Sequence, residues 1–329
     1  MTNIYKTAES VTPSHPDKIC DQISDAILDE ALKQDPFTRS AVEVLGGHGI
    51  ITVTGELSTN ANLNIREIAR SVYADLGYTE PIGVTVNVVQ QSPEIKNGVD
   101  NEGAGDQGIM IGYATNETPE FLPLEVVLSR KLTKAMGKQD GKAQVTTLNG
   151  KVVKILTSVC ESGDQSDNHL EDTVKKEIVP HLDQEIKNVN DVWLRNPNGQ
   201  WLVGGFEADT GLTGRKLAVD NYGPNIPLGG GCFSGKDATK VDRSGAYIAR
   251  RIAVDYLKKR QAKEVFVHVA YAIGVAHPLM AVVTVDGVQE EIQGYDLTPQ
   301  GIIKFLDLRK PVFRESAKFG HFGNGAVWG

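Results

Sequence analysis

The chain has 329 residues, of which 40% are hydrophobic and 23% are charged, a globular composition that excludes wholesale disorder and collagen-like repeats. The net charge of −8 disfavours a general nucleic-acid binder, and three cysteines without a C-x-x-C pair argue against a disulfide framework or a zinc ribbon. The N-terminus carries no signal-peptide pattern and no apolar run is long enough to cross a membrane. We therefore expect a cytoplasmic protein without membrane contact, of about two domains, with one or three also allowed.

Helix and strand patterns recur along the chain in the order helix, hairpin, helix, strand. The first round predicts a helix over Pro16–Gln34 capped by Ser14 and Asp17, strands Ser40–Leu45 and Ile50–Leu57, a helix over Leu63–Leu76 closed by Gly77, and a strand through Val84, Val86 and Val88. The second predicts a helix over Leu122–Met136, strands Ala143–Leu148 and Val152–Val159 about an Asn149-Gly150 turn, a helix near Leu170–Leu182 and a strand over Asp191–Arg195. The third predicts a helix over Val241–Lys259, strands Val265–Ala270 and Met280–Val285, and a helix capped by Thr298.

This repetition predicts an α+β fold of three similar units, each with helices on one face of a sheet. We place the domains at residues 1–100, 112–201 and 202–329. Three glycine-rich, polar segments separate the predicted elements: Gln90–Gly112, Asn196–Tyr222 and Gly223–Lys240. They are too rich in charged residues for idle linkers, so we expect them to be functional loops.

One of these segments, Gly103–Gly108, matches the pattern G-x-G-x-x-G. A dinucleotide site needs a strand immediately before this pattern and a helix immediately after it, and neither is predicted here. Asp106 would also place a carboxylate against a pyrophosphate. The sequence instead favours a glycine turn that brings Asp106 near a cation or a substrate loop.

A second segment, Gly230–Asp237, is close to a phosphate-binding P-loop, but Asp237 stands where that loop has Ser or Thr. Glycine amides beside Lys236 still suit a polyphosphate, although a plain flexible turn is the alternative. Cations surround this segment: Arg215, Lys216, Lys236, Lys240 and Arg243. Interleaved carboxylates provide oxygen ligands suited to magnesium: Asp209, Asp237 and Asp242.

The first predicted helix begins with His15-Pro16-Asp17-Lys18. Free backbone amides at a helix start favour anions, and His15 and Lys18 could add positive charge there. Asp17 could hold a metal ion, although an aspartate in the first turn is also an ordinary helix cap.

Taken together, these segments resemble the S-adenosylmethionine synthetase family, also called methionine adenosyltransferases. The similar stretches are Glu9-Ser10-Val11 with His15–Lys18, Gln91-Ser92-Pro93, Gly103–Gly108 with Tyr113–Glu117, Gly211–Lys216, Gly229–Asp237 with Lys240–Ser244, Tyr271–Ala276 and Gly320–Gly323. They span nearly the whole chain in the order of the family, and the GAGDQG and FSGKD motifs are specific to it.

The resemblance implies three α+β domains about a pseudo-threefold axis, and a homodimer with active sites between its subunits that often pairs into a homotetramer. It also implies a reaction between ATP and L-methionine that gives S-adenosylmethionine, pyrophosphate and phosphate. In that reaction the methionine sulfur attacks C5′, and the intact tripolyphosphate leaves before it is hydrolysed. Two Mg²⁺ ions per site and K⁺ are the implied cofactors.

The resemblance also implies a role for individual residues. Those implied to be catalytic are His15, Arg215, Lys216 and Lys236, with His15 beside the oxygen where negative charge develops. Those implied to bind ATP are His15, Asp140, Lys142, Gln200, Trp201, Asp209, Arg215, Lys216, Cys232 and Lys236. Methionine would be bound by Glu56, Gln91, Asp209, Lys240 and Ile273, magnesium by Asp17 and Asp242, and potassium by Glu43.

The chain departs from the family pattern at a few places. Trp201 stands at the usual phenylalanine position and Cys232 replaces the common alanine, while the loop between Gln91 and Gly103 is shorter. Two other classes remain as alternatives: a kinase-like phosphotransferase that attacks the γ-phosphate, and a silent partner subunit that only binds nucleotide. The second would be expected to lose charged positions such as His15, Asp17 and Lys236, and all of these are present.

Overall fold

The computed structural model describes residues 3–90, 103–162 and 169–329. Its strands are β1 (Tyr5–Val11), β2 (Arg39–Gly47), β3 (Ile50–Ser58), β4 (Gly83–Val89), β5 (Gly108–Thr115), β6 (Gly141–Leu148), β7 (Lys151–Val159), β8 (Trp193–Arg195), β9 (Gly211–Leu212), β10 (Glu264–Tyr271), β11 (Met280–Val285) and β12 (Val288–Glu291). Its α-helices are α1 (Pro16–Gln34), α2 (Ile65–Asp75), α3 (Leu124–Ala135), α4 (Leu170–Thr173), α5 (Leu217–Asp220), α6 (Val241–Arg260), α7 (Pro299–Leu306) and α8 (Phe313–Ser316).

The described strands form three four-stranded sheets, with the strand orders β9-β2-β3-β4, β1-β6-β7-β8 and β5-β10-β11-β12. Each sheet is built on a local antiparallel hairpin: β2-β3, β6-β7 or β10-β11. The strand written first in each order (β9, β1 or β5) comes from a distant part of the chain and pairs antiparallel with that hairpin. The three units are therefore interleaved, because each sheet contains one strand from outside the residue range predicted for its domain. The predicted domain boundaries stay a prediction.

Each sheet is covered on one face by a helix, and the apolar side chains between them form a separate buried cluster. In the first unit, Ile19, Ile23 and Ile27 of α1 pack with Val42 and Val53 of the sheet. Leu128 and Leu132 of α3 do the same in the second unit, and Ile248 and Ile252 of α6 in the third. These clusters confirm the predicted α+β class with three similar units.

The predicted elements with local signals are confirmed. α1 runs over Pro16–Gln34 as predicted, and α7 is capped by Thr298, whose hydroxyl accepts a hydrogen bond from Gly301 N. Asn149 and Gly150 both have positive φ, as a two-residue hairpin turn requires. Gly77 has a φ of +97° just beyond α2, as predicted for a helix-ending glycine.

Three details differ from the sequence-based expectations. The cap of α1 is His15 rather than Ser14, whose hydroxyl donates to Lys138 O. The predicted helix near Leu170–Leu182 is one α-helical turn followed by a π-helical and a 3₁₀ turn. Strands β1 and β5 were not predicted, because their pairing partners are far away in the chain and leave no local signal. Within the described residues, no helix is long and apolar enough to cross a membrane.

Candidate active site

The start of α1 places two of the predicted site residues in direct contact. His15 caps the helix, and its Nδ1 accepts a hydrogen bond of 3.1 Å from Asp17 N. Because Nδ1 is the acceptor, the proton of the neutral imidazole is on Nε2, which leaves Nε2 as a donor. Burial, and then Lys216 and Lys142 nearby, lower the pKa of His15 to about 3. His15 is therefore a neutral donor among cations.

Asp17 connects the helix start to the segment that carries Arg215 and Lys216. Its Oδ1 accepts from Leu212 N at 2.9 Å and its Oδ2 lies 2.5 Å from Lys216 Nζ. Arg215 Nε lies 3.6 Å from Oδ1, and the Arg215 side chain is 54% exposed. Burial alone would raise the pKa of Asp17, but the hydrogen bonds from Lys216 and Leu212 outweigh it and lower the pKa.

Asp140 and Lys142 lie beside this group, at the start of β6. Asp140 Oδ2 accepts from Gly205 N at 2.8 Å, whereas Oδ1 is buried without a hydrogen-bond partner among the described residues. Burial raises the pKa of Asp140 to about 6, Lys142 opposes this rise, and Asp209 adds to it. The structure thus brings these three predicted ATP-binding residues together.

Trp201 and Gln200 lie in the segment that passes over Asp140. Trp201 O accepts from Glu161 N at 2.7 Å, and the indole N–H donates to Val203 O. A Cβ at Gly204 would overlap Asp140, so this segment can pass only with a glycine there. Gln200 is exposed and Trp201 is half-buried, so part of the indole is accessible in the segment that passes over Asp140.

A second group of polar side chains surrounds Lys236, in the turn whose sequence is close to a P-loop. Lys236 Nζ donates to Asp242 Oδ2 at 2.7 Å and also contacts the Cys232 thiol. Burial opposes the protonated amine, but Cys232 and Asp242 together raise the pKa of Lys236. Burial raises the pKa of Cys232, so this thiol is largely protonated at neutral pH.

Glu43, which is predicted to bind potassium, and Glu56, which is predicted to bind methionine, lie on one face of the sheet β9-β2-β3-β4. In the antiparallel register Glu43 is opposite Thr54, and Glu56 is opposite Ala41, whose other neighbour is Lys236. Burial raises the pKa of Glu43 and Lys236 opposes this rise. The alternate residues of β2 and β3 face the buried side under α1, so this carboxylate-bearing face is turned away from the helix.

The other residues predicted to bind methionine do not form one pocket within the described part of the chain. Lys240 Nζ donates to Asp237 Oδ1 at 2.6 Å, Asp209 is exposed, and Ile273 is 62% exposed. Gln91 lies outside the described residues. Ile273 belongs to the segment Tyr271–Ala276, whose backbone pairs with Ala104 of the GAGDQG motif through Gly274 N and Val275 O.

Three residues predicted from the sequence to be site cations or magnesium ligands stabilise the fold instead. Arg243 is fully buried and forms a bidentate ion pair with Asp25, so its assignment to the polyphosphate cations is wrong. Lys18 is also buried and bonds Asp21 and Asp220 rather than adding charge at the helix start. Asp237 accepts hydrogen bonds from Ser40 N and Thr239 N, so its carboxylate binds backbone N–H groups instead of a metal ion.

Sequence reasoning missed the carboxylates that follow Asp17 on the same face of α1. Asp21 accepts from Gly214 N and Asp25 accepts from Gly235 N, each at 2.9 Å. The four-residue spacing of these aspartates is a visible signal. It would ordinarily indicate a solvent-exposed helix face, because buried carboxylates are rare without partners.

The carboxylates of the candidate site suit a metal ion that is shared with substrate phosphates. No cluster of three or more His, Cys, Asp or Glu residues able to hold a metal ion occurs in the ranges that the structure describes. Asp17 and Asp242 instead each stand singly beside a lysine. Magnesium is commonly held by one or two carboxylates together with phosphate oxygens and water, so these residues fit it.

Comparisons with known proteins cover nearly the whole chain. The N-terminal, central and C-terminal domain models of S-adenosylmethionine synthetase match residues 3–98, 101–201 and 203–328. The chain belongs to the S-adenosylmethionine synthetase family. The S-adenosylmethionine synthase of Helicobacter hepaticus is 43% identical to it over 96% of this chain and 92% of the relative. Those of Brachyspira hyodysenteriae and Staphylococcus epidermidis are each 40% identical over 98% of this chain, and over 94% and 93% of their own lengths.

Membership of the S-adenosylmethionine synthetase family confirms the resemblance seen in the sequence motifs and makes this chain an enzyme, a methionine adenosyltransferase. The substrates of the family are ATP and methionine, and its members are metal-dependent. The kinase-like alternative and the silent-subunit alternative are therefore both disfavoured.

Proposed function

We propose that this synthetase forms S-adenosylmethionine by direct attack of the methionine sulfur on C5′ of ATP. The sulfur lone pair forms the S–C5′ bond, and the C5′–O bond breaks with its electrons passing to the tripolyphosphate. Water then attacks the bound tripolyphosphate and gives pyrophosphate and phosphate. The observation that carries this proposal is the neutral His15, which has a donor Nε2 and lies among Lys216, Lys142 and Asp17.

His15 would stabilise the leaving oxygen. Negative charge grows on the oxygen that leaves C5′, and a neutral N–H already in place stabilises that charge without reorganisation. The Asp17 N–H keeps Nδ1 as the acceptor, so the proton stays on Nε2. A cationic histidine would be costly here, because burial and the neighbouring lysines both oppose its charge.

The lysines and arginine would hold the tripolyphosphate before and after the C5′–O bond breaks. Lys216 and Lys236 are each held by an aspartate in the present structure, while Arg215 projects into solvent. Ammonium groups act as point charges on phosphate oxygens, and a guanidinium can bind two of them. We assign Lys142 to the same set because its charge acts on both His15 and Asp140.

Asp17 and Asp242 would hold the magnesium ions, which supply positive charge that neutralises the phosphate oxygens. Each carboxylate would then exchange its lysine for the metal ion, and the freed ammonium group could turn to phosphate. Glu43 would hold potassium at the carboxylate-bearing face of its sheet.

The nucleoside would lie against Trp201, Gln200 and Asp140. An indole face stacks on a purine, and the unpartnered Oδ1 of Asp140 can accept a hydrogen bond from a nucleoside hydroxyl or amine. Cys232 would line the triphosphate side of the same site through its contact with Lys236. For methionine, Glu56 and Asp209 suit the ammonium group, Lys240 suits the carboxylate, and Gln91 and Ile273 complete the set.

We also propose a homodimer, able to pair into a tetramer, with its active sites between subunits. The sheet face that carries Glu43 and Glu56 also exposes Leu45, Ile50 and Leu212 to solvent in the isolated chain. Apolar residues beside predicted substrate ligands fit a covered interface. A Leu45→Glu variant should sediment as a monomer and lose activity, whereas an active monomer would contradict shared sites.

One assay tests the proposed function. The enzyme is incubated with ATP, L-methionine, Mg²⁺ and K⁺, and the products are measured by mass spectrometry, with each component omitted in turn as a control. Equal amounts of the sulfonium product, pyrophosphate and phosphate are expected. Formation of ADP with a phosphorylated second product, or absence of the sulfonium product, would contradict the proposal.

A further inference from the structure

Four aspartates follow one another along α1 at intervals of four residues, in a row that is inclined to the helix axis. Each of Asp17, Asp21, Asp25 and Asp29 neighbours the next on the helix surface, because residues i and i+4 are adjacent there. Each carboxylate accepts backbone N–H groups from a segment about 190 residues or more away in the chain. The donors are Leu212 for Asp17, Gly214 for Asp21, Gly235 for Asp25, and Phe313 and Arg314 for Asp29.

The donors to Asp21 and Asp25 occupy equivalent places in two turns. Gly214 has a φ of +78° and directly precedes Arg215 and Lys216, and Gly235 has a φ of +83° and directly precedes Lys236. Each of these glycines thus gives its N–H to an aspartate of α1 and is followed at once by a proposed phosphate-binding cation. The two acceptors are four residues apart, which is about 6 Å along a helix.

Both aspartates take part in buried ion pairs. Asp25 receives both terminal nitrogens of Arg243, at 2.6 and 2.8 Å, and Arg243 NH1 also donates to Lys236 O. Asp21 receives Lys18, which also bonds Asp220 at the end of the short helix that follows Lys216. Asp21, Asp25, Lys18 and Arg243 have no exposed surface.

A buried histidine of the Gly320–Gly323 motif joins these two ion pairs. Arg243 Nε donates to Tyr247 Oη, which is also hydrogen-bonded to His321 Nδ1, 2.7 Å away. His321 Nε2 lies 3.9 Å from Asp220 Oδ1, beyond hydrogen-bond distance, but His321 N donates to Asp220 O at 2.9 Å. Buried residues therefore connect the Lys236 turn to the Lys216 turn, and the backbone hydrogen bond between His321 and Asp220 completes the connection.

We propose that Asp21 and Asp25 are positioning residues, which fix the Gly214–Lys216 turn and the Gly235–Lys236 turn at the separation that one tripolyphosphate requires. This inference deepens the proposed function and rests on it. Neither aspartate touches substrate: each sets a glycine N–H, and so the backbone that carries the cation. A displacement of about 1 Å at such a site can lower a rate about a hundredfold, so fixed turns matter for the reaction.

Asp29 provides a matched control on the same helix. It accepts two backbone N–H groups as well, but they belong to Phe313 and Arg314, outside both phosphate turns. Three variants, Asp21→Asn, Asp25→Asn and Asp29→Asn, each neutralise one carboxylate of the row. Their folded fraction is measured by circular dichroism, and kinetic constants are taken per folded enzyme.

The test compares tripolyphosphate hydrolysis and S-adenosylmethionine formation in the three variants. We expect Asp21→Asn and Asp25→Asn to lower kcat/KM for tripolyphosphate by about tenfold or more, with KM for methionine changed less than about threefold. Asp29→Asn should stay within about twofold of the wild type. Asp21→Ala, which removes the acceptor altogether, should fall further than Asp21→Asn, which keeps an oxygen for Gly214 N–H.

Calorimetry of Mg²⁺-tripolyphosphate binding separates this inference from the proposed function. Weaker binding in Asp21→Asn and Asp25→Asn, but not in Asp29→Asn, supports positioning even if the wild type makes no sulfonium product, a result that would overturn only the proposed chemistry. Folded Asp21→Asn and Asp25→Asn enzymes with wild-type affinity and kcat/KM would overturn the inference. An equal loss in Asp29→Asn would also overturn it.

Discussion

Lys216 and Asp17 form an ion pair in which Nζ lies 2.5 Å from Oδ2, and the Asp17 carboxylate is almost fully buried. Lys236 and Asp242 repeat this arrangement at 2.7 Å. In both pairs a predicted phosphate cation is held by a predicted magnesium ligand. Each carboxylate therefore keeps a lysine in place that would otherwise be mobile, and each pair is expected to open when Mg²⁺ and triphosphate bind together.

Replacing either carboxylate by an amide should lower activity without unfolding the protein. Asp17→Asn and Asp242→Asn each remove a magnesium ligand but keep the shape of the side chain, so we expect kcat to fall about a hundredfold or more. Initial rates over a range of Mg²⁺ concentrations, together with the melting temperature, provide the check. Near-normal rates at ordinary Mg²⁺ would remove that residue from the metal site.

Trp201→Ala should weaken ATP binding without affecting tripolyphosphate. A stacked base contributes about 1–3 kcal/mol, which corresponds to an increase of KM for ATP of about 5- to 150-fold. Tripolyphosphate has no base, so KM for its hydrolysis should not change. Trp201→Phe keeps an aromatic face and serves as the control. A parallel rise of KM for both compounds would show that Trp201 supports the site structurally rather than by stacking.

Gly235→Ala should inactivate the enzyme more than its effect on stability explains. A Cβ at Gly235 would overlap the carbonyl oxygen of Val42, so the turn that carries Lys236 must shift. Gly150 has a similar φ of +79° and open space around it, so Gly150→Ala has only the backbone cost of about 1–2 kcal/mol. Unfolding and activity should be measured for both variants. Equal activity per folded molecule would contradict the importance of this close approach.

Asp29 predicts a pH-dependent contribution to stability. Burial raises the pKa of Asp29 to about 6, above the value near 4 in an unfolded chain. The stability that this carboxyl group contributes to the folded state is therefore present below about pH 4 and is lost as the pH rises from about 4 to about 6. The wild type should lose stability relative to Asp29→Asn over that interval and remain level above it. A melting-temperature difference that does not change between pH 4 and pH 7 would contradict this.

Local sequence signals predicted the parts of the fold that form locally. The Asn149-Gly150 hairpin, the Thr298 cap and the apolar stripe of α1 depend on neighbouring residues, and all of them are confirmed. Strands β1, β5 and β9 depend on partners between about 130 and 170 residues away. Periodicity within a strand carries no information about such partners, so the interleaving of the three units could not be predicted.

The same limit applies to the candidate site. Motif resemblance found Asp17, Lys216 and Lys236, and the structure places the first two in contact. The sequence places Arg243 among the cations near the Gly230–Asp237 segment, but a helix turns consecutive side chains about 100° apart, and Arg243 faces the core. Asp25, its partner, is 218 residues away, so only the folded chain reveals the pair.

The most direct test of the proposed chemistry uses an ATP analogue with an imido group between the β- and γ-phosphates. If sulfur attacks C5′ before any P–O bond breaks, a single-turnover reaction with methionine should still give S-adenosylmethionine, because the C5′–O bond is untouched. The imidotriphosphate should remain uncleaved and bound among Arg215, Lys216 and Lys236, so the yield should approach about one product per site. Mass spectrometry of the quenched reaction measures both products. Absence of the sulfonium product with this analogue, under conditions in which ATP yields it, would contradict the proposed order.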